Sequence, residues 1–431
     1  LAIDTTTYLA DAKIVYGTLE DQVSTLAAII NLFQAGNKMG KPINQVGIRG
    51  YQILARLTPN WNMGFRKEGV TGVGSAGNQG LKNSTVVLKY AYVPILITGQ
   101  AENLTKGEPR AFMQAKALEA KFDMKDIVSH VNVIVAGCER GGELARVLAS
   151  PAPGAGTFSA DATGGLPGAI YLRKGQPIDT MAVGGGALSV NNSIITAINY
   201  STAAVTHTAG TAVAGEAVAL AGEYPASSAD FPMTCEGLVS LISDTGAIQG
   251  LNPASAGEGA WASFVKTVSG ALTGQLIQEL RQYVKARGGE EVNMFLFPSA
   301  QVNQLVGIAN TTIRFDVTTA AATSPGKKAV DLGFNVFEYG GLPIIEDKDL
   351  RPDRIYAMAS DRFAKFEALP LSMAEDEAGA WTRVSGASGI ADAVQGLLRW
   401  YIQFGTLQRS AAGVLKSLTI PGSFATLPPT L

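Results

Sequence analysis

Residues 64–83 read GFRKEGVTGVGSAGNQGLKN, a polar, glycine-studded ribbon with little that can form a core. It runs into STVVLKYAYVPILITG at 84–99, where β-branched and aromatic residues predict extended structure. A two-stranded arm of this kind is marginal in isolation and needs a surface belonging to something else. Pro109 then stands where a first helical residue tolerates proline, and neither glycine nor proline follows until Gly137. Met113, Ala117, Ala120, Met124, Ile127, Val128, Val131 and Val135 recur at three- and four-residue steps, which predicts one helix over 109–136. About 28 helical residues reach roughly 40 Å. A weak arm joined to a stiff strut predicts a subunit completed by its neighbours.

The totals set the frame. At 431 residues the chain exceeds the usual size of one core. Hydrophobic residues make up 46% and charged residues 16%, a composition of folded protein with extensive buried surface. The net charge of −2 offers no bulk attraction to nucleic acid or anionic membrane. No apolar run approaches the roughly 18 residues of a membrane-spanning helix. No basic segment precedes an apolar signal core, so a reducing compartment is expected. Cys138 and Cys235 accordingly read as buried free thiols rather than a disulfide. The chain starts at Leu1 rather than methionine, so an upstream piece is expected to have been removed or left out of the numbering.

Working outward, residues 1–17 read as irregular and extended. Thr18 opens a predicted helix to residue 34, with Leu19, Val23, Leu26, Ile30 and Phe33 on one stripe. Residues 150–168 are a Pro/Gly/Ala-rich connector, and 169–222 read as short strands between glycine turns, a small β module. Helical spacing returns over 261–287, where Phe264, Val268, Leu272, Leu276, Leu280 and Val284 form a stripe ended by Gly288-Gly289. VNMFLF predicts a strand, Pro298-Ser299 a helix start, and NVFEYGGLPIIED, DRIYAMASDRFAKFE and the segment from Arg399 onward predict further strands. Helices and strands interleave without a regular βαβ period, which points to α+β.

The residues that carry chemistry are sparse. Of the two histidines, His130 falls in the long helix and His207 in the β module, so neither a Ser-His-Asp arrangement nor a zinc cluster emerges. Glu346, Asp347, Asp349 and Asp353 have the oxygen ligands a divalent cation needs. Lys348, Arg351 and Arg354 are interleaved with them, so a solvated turn is the expected reading. Glu375, Asp376 and Glu377 read as a surface charge run. GVTGVGSAG and GCERGGE lack the lysine of a phosphate-binding loop. No active site, cofactor site or metal site is visible, and the chain does not read as an enzyme.

Four passages, in this order, carry a family resemblance: AFMQAKALEAKFDMKDIVSHVNVIVAGCERGGELARV at 111–147, GLVSLISDTGAIQGLNPASAGEGAWASFV at 237–265, FLFPSAQVNQLVG at 295–307 and FEYGGLPIIEDKDLRPDRIYAMASDRF at 337–363. The chain resembles a tailed-bacteriophage major capsid protein with the HK97 fold, and 175–220 resembles a β insertion found in some of these coats. The resemblance implies an α+β architecture divided as follows: an N-terminal arm with a short helix at 1–55, an extended hairpin, the E-loop, at 56–100, a P-domain spine helix and connector at 101–168, and the β module at 169–224. An A-domain at 225–335, P-domain strands at 336–372 and a return to the A-domain with a C-terminal tail at 373–431 complete it. It implies self-assembly through hexamers and pentamers into a shell around double-stranded DNA held without sequence-specific binding, in a virion assembled in the bacterial cytoplasm. Portal and scaffolding proteins, and a decoration protein, are the further partners implied. Contacts between subunits are expected at Trp61, Phe65, Arg66, Lys67, Glu68 and Lys82, with Lys67 or Lys82 the candidates for covalent cross-links. Three other readings stay open at this point: an encapsulin-type compartment shell, an adhesin built around 169–222, and an unrecognised hydrolase.

Overall fold

The computed structural model describes residues 28–35, 43–46, 50–60, 62, 65, 77–98, 109–161, 168–200, 202–225, 231–312, 337–375, 379–386 and 389–421. A short helix α1 (Ala28–Leu32) leads into a two-residue strand β1 (Gln34–Ala35). The expected helix over 18–34 therefore stops at Leu32 at its C-terminal end, because Gln34 and Ala35 pair in parallel with Ala364 and Lys365; residues 18–27 lie outside the described part. Strands β2 (Ile43–Val46), β3 (Gly50–Thr58) and β4 (Gly80–Val87) form an antiparallel ribbon. β5 (Lys89–Thr98) follows after the single residue Leu88.

The long helix α2 spans Pro109–Ala136, the expected 28 residues. Only glycine fits the position after its last residue. Gly137 donates its N–H to Val133 O at 2.9 Å, and a Cβ at this position would lie 2.5 Å from both Asp349 O and the Tyr171 hydroxyl. Among the described side chains of the predicted stripe, Ile127, Val131 and Val135 are buried, while Ala120 and Met124 pack against Ile95, Ile97 and Leu398.

A closed six-stranded barrel follows, built from β6 (Ala145–Val147), β7 (Ala155–Asp161), β8 (Pro177–Met181), β9 (Leu188–Asn199), β10 (Ala204–Thr211) and β11 (Ala217–Leu220). The β module is thus larger than its predicted stretch. The connector at 150–168 contributes β7, whose Val147–Ala160 and Phe158–Val205 pairings close the wall. The sequence AGTFSAD looks like linker because its residues are small, yet small residues are what the crowded interior of a narrow barrel admits. Phe158, Ile178, Val190, Ile195, Val205 and Val218 fill it.

After α3 (Leu238–Leu241), the predicted helix over 261–287 divides in two. Its first half is the strand β12 (Phe264–Gly270), paired in parallel with 413–418, and only α4 (Gly274–Gly288) is helical. A four-residue spacing such as Phe264 to Val268 is one helical turn, but it is also two steps along one strand face. Thr273 decides the boundary by accepting a hydrogen bond from Leu276 N, and Gly289 at φ 68° caps the other end. β13 (Met294–Phe297) and α5 (Ser299–Thr312) come where the sequence puts them. β14 (Phe337–Tyr339) and β15 (Leu342–Glu346) are joined by Gly340 and Gly341, both at positive φ as the tight turn requires. β16 (Ile355–Met358), β17 (Phe363–Met373), β18 (Trp381–Gly386), β19 (Gly389–Thr406) and β20 (Ala412–Leu418) end the described chain.

Two large sheets support these parts. The first is centred on β19, with β5 along one edge and β18 and then β17 along the other. α2 lies against this sheet through the Ala120/Met124 contacts. The second runs β12-β20-β16-β13-β15-β14 and buries Ile277, Leu280 and Val284 of α4 against Phe295, Phe297 and Leu415. Arg409 ties the end of α3 and the turn after it to this sheet. Its buried guanidinium donates to the carbonyls of Ser240, Leu241, Thr245 and Gly246 at 2.8–3.1 Å.

Candidate subunit interface

Alternation along the ribbon gives it two unlike faces. Ile53, Val86 and Leu88 pack with Ala364 and Phe366, and Ala55 and Leu57 pack with Leu251 and Trp261. The opposite face carries Leu54, Leu81 and Val87 at 60%, 54% and 55% exposure. Leu54 pairs with Asn83 and Arg56 with Leu81, so the two leucines are diagonal neighbours across the strands. The base of the ribbon is therefore seated on its own chain, which the sequence did not anticipate, while the outer face is apolar and open.

The sheet around β19 also has an apolar outer face. Tyr90, Tyr92 and Leu96 of β5 and Leu397 of β19 are exposed, on the side opposite Ile95, Ile97 and Leu398. Tyr401 meets Tyr90 edge-on at 4.7 Å between ring centroids, and the Tyr92 hydroxyl lies 3.4 Å from that of Tyr401. That hydrogen bond, with partial burial, raises the Tyr92 pKa. Tyrosines that present rigid area and a polar tip are characteristic of contact surfaces between proteins.

Beneath these faces, a buried polar network fixes the end of α2, and it corrects the expectation for residues 346–354. Asp347, Asp349, Arg351 and Asp353 are buried; they are not a solvated turn. Arg351, 1% exposed, reaches Glu139 at 2.6 Å and Asp353 at 3.3 Å, and Arg354 reaches Glu139 at 3.0 Å. Asn132, fully buried in α2, donates to Asp349 at 2.7 Å and to Asp347 at 3.3 Å. It also accepts from Ile30 N, while Asp347 accepts from Ile29 N. The charges are tolerated inside because partners more than 200 residues away satisfy them. Burial, joined by the Asp349 charge, raises the Asp347 pKa even against the hydrogen bonds it accepts.

His130 is a structural residue of the same region. Its Nε2 lies 2.6 Å from Glu223 Oε1, joining α2 to the turn after β11. Burial disfavours the imidazolium, but the Glu223 charge and hydrogen bond outweigh it, and the pKa lies above the ordinary 6.5 despite the opposing Arg173. A pKa raised by folding contributes stability that is complete below the unfolded value and is lost as pH rises through the folded one. Urea midpoints should therefore fall as pH rises above about 6.5, and Glu223→Gln should remove that part of the slope. An unchanged slope in the variant would deny the pair any role. His207 sits apart inside the barrel, its Nδ1 3.0 Å from Ser193 Oγ, and burial lowers its pKa.

Cys138 and Cys235 are both free and buried. Burial raises both thiols, Cys235 to about 12. Among the described residues, no group of three or more His, Cys, Asp or Glu is placed to hold a metal ion. No described helix is long and apolar enough to cross a membrane.

Of the six contact residues expected from the sequence, Trp61, Arg66, Lys67 and Glu68 lie outside the described part. Phe65 is fully exposed. Lys82 pairs with Glu258 of its own chain, and that lysine, then Asn252 N–H, lowers the Glu258 pKa. Leu54, Leu81, Val87, Tyr90, Tyr92, Leu96 and Leu397 are further exposed residues of these faces, beyond the six expected from the sequence. For Tyr90, Tyr92 and Leu96 the signal lies in YAYVPILI, where both alternating sets are apolar, a pattern equally expected of a strand buried on both faces.

No family model matches the sequence, and no curated protein matches it. Among solved structures, the chain is similar over 93% of its length, and 97% of the other chain, to the capsid asymmetric unit of cyanophage A-1(L), at 10% identity and a TM-score of 0.48. It is similar over 94% of its length, and 100% of the other chain, to the capsid of an empty GTA particle, at 10% identity and a TM-score of 0.44. A third similarity, at 11% identity and a TM-score of 0.38, is to the SrpI encapsulin of Synechococcus elongatus and covers 100% of this chain and 99% of that one.

Proposed function

We propose that this protein is a major capsid protein of the HK97 type, which assembles with copies of itself into a closed shell around the double-stranded DNA of a tailed phage. The observation that carries the reading is the ribbon. It leaves Leu54, Leu81 and Val87 open to solvent, beside a sheet stiffened by a 28-residue helix. Exposed apolar surface on a rigid frame marks a protein–protein contact, and here the partner surface is another copy, engaged head to tail so that rings close. In this reading, the ribbon at about 56–100 is the E-loop and α2 is the P-domain spine. The second large sheet with α4 belongs to the A-domain, and the barrel is an insertion. Phe65 and Lys82, with Trp61, Arg66, Lys67 and Glu68, belong to the contact. Hexamers and pentamers, a portal, scaffolding and decoration proteins, DNA held without sequence preference, and assembly in the host cytoplasm belong to the same reading. The protein's work is mechanical, not catalytic.

Sedimentation of the purified protein tests the proposal. The expected result is a very large, uniform assembly whose particles, taken from an infected host, hold nuclease-resistant DNA. Monomers or small oligomers at all concentrations would refute the shell, and particles enclosing a protein cargo instead would point to a compartment.

A further inference from the structure

The seat of the ribbon on its own chain is built with contradictory parts. Holding it down are the bond from Thr85 N to Gln249 O at 2.8 Å, the packing of Ala55 and Leu57 on Leu251 and Trp261, and the pair between Lys82 and Glu258. Glu258, only 7% exposed at its side chain, also accepts from Asn252 N at 2.6 Å, so Lys82 is the cation that keeps a nearly buried carboxylate compensated. Working against the seat are two buried groups on its two sides. Ser84 Oγ on the ribbon and Trp261 Nε1 on the body have no hydrogen-bond partner among the described residues, and both side chains are almost wholly buried. A buried donor without a partner loses the hydrogen bonds that water would give it, and regains them when the contact opens. Lys82 is half exposed and so already solvated on the open side.

We infer that the base of the ribbon is a clamp that opens as a unit while the body stays folded, and that the open form is the one that engages a second copy. The second half of this statement rests on the shell reading; the first does not. The packing of Ile53, Val86 and Leu88 on Ala364 and Phe366, with the Tyr51 hydroxyl on Glu367 O, is the hinge about which it opens; the part beyond that hinge is held by one backbone bond, one ion pair and the Ala55 and Leu57 contacts, which places it at the low end of a protein's range of local stabilities. Its two signed levers are on opposite sides of the balance. Removing Lys82 leaves Glu258 without its cation and favours the open form. Removing the Ser84 hydroxyl takes away an unsatisfied group without changing the packing volume much, and favours the closed form.

Hydrogen exchange on the dissociated subunit reads the clamp directly. The Thr85 amide is expected to exchange at least ~100-fold faster than the amides of β19, which are paired on both edges. Lys82→Met should speed Thr85 exchange ~10-fold, and Ser84→Ala should slow it ~5-fold, with β19 unaffected in both. Thr85 exchanging as slowly as β19, or the two substitutions moving it in the same direction, would overturn the clamp. In an assembly assay, Ser84→Ala should form particles more slowly than the unaltered protein, and equal rates would sever the clamp from assembly. If no variant forms particles, the shell reading fails, and the exchange result still decides the clamp.

Discussion

A subunit carrying Leu54→Asp and Leu81→Asp is expected to fold normally and to form no particles. Both side chains stand on the outer face of the ribbon, more than half exposed, and touch no core cluster of their own chain. Aspartate there stays in water in the isolated subunit, so the unfolding free energy from urea titration should change by less than ~0.5 kcal/mol. In a contact between copies the same change removes two leucines, each contributing roughly 2 kcal/mol when buried, and adds two carboxylates that must be desolvated. Every copy in a closed shell repeats the loss, so assembly should be abolished rather than slowed. Negative-stain microscopy and sedimentation, beside circular dichroism of the subunit, give the two readouts. Particles at ordinary yield would show that this face meets solvent in the assembly and that the contact lies elsewhere.

Arg351→Met is expected to have the largest effect on the fold itself, a loss of ~3–5 kcal/mol in the unfolding free energy of the subunit. The guanidinium bridges Glu139, just past the end of α2, and Asp353, before β16. Methionine fills much of the same volume, so the cost is electrostatic. Asp353 is 3% exposed and would be left with Arg354, whose Nε lies 3.7 Å away. Lysine keeps the charge but not the planar fork, so Arg351→Lys should fall between the two. A methionine variant within 1 kcal/mol of the unaltered protein, measured by urea unfolding, would mean that water reaches the network and shares its charge.

Some parts of this architecture are legible in the residues and others are not, for identifiable reasons. α2 can be read to the residue, because Pro109 suits a first helical position and Gly137, the next glycine, is a common helix stop. α4 is legible only in part. The apolar positions 264 and 268 satisfy helix and strand alike, and the arbiter is the parallel pairing with β20, about 150 residues away in the chain. The interleaved acids and bases at 346–354 look solvated because neighbours in sequence can neutralise one another. Asn132 and Glu139, which draw them inside, belong to a distant segment. As for the ribbon, the extended run at 84–98 was legible from its β-branched and aromatic residues, while most of the glycine-rich stretch before it lies outside the described part. The ribbon's seat on Leu251 and Trp261 was not legible, since no local pattern announces a partner so far along the chain.

The barrel enters through β6 and leaves through β11, and these two strands are paired, Arg146 opposite Ala217. Backbones so paired are only ~5 Å apart, so the chain departs from almost the spot where it arrived. A detour of that shape imposes no change of course on the backbone on either side, and its ties to the rest, such as the His130–Glu223 pair, run through side chains. It can lengthen, shorten or be traded for another over generations while the scaffold around it keeps its course, which leaves the protein one region free to acquire new duties.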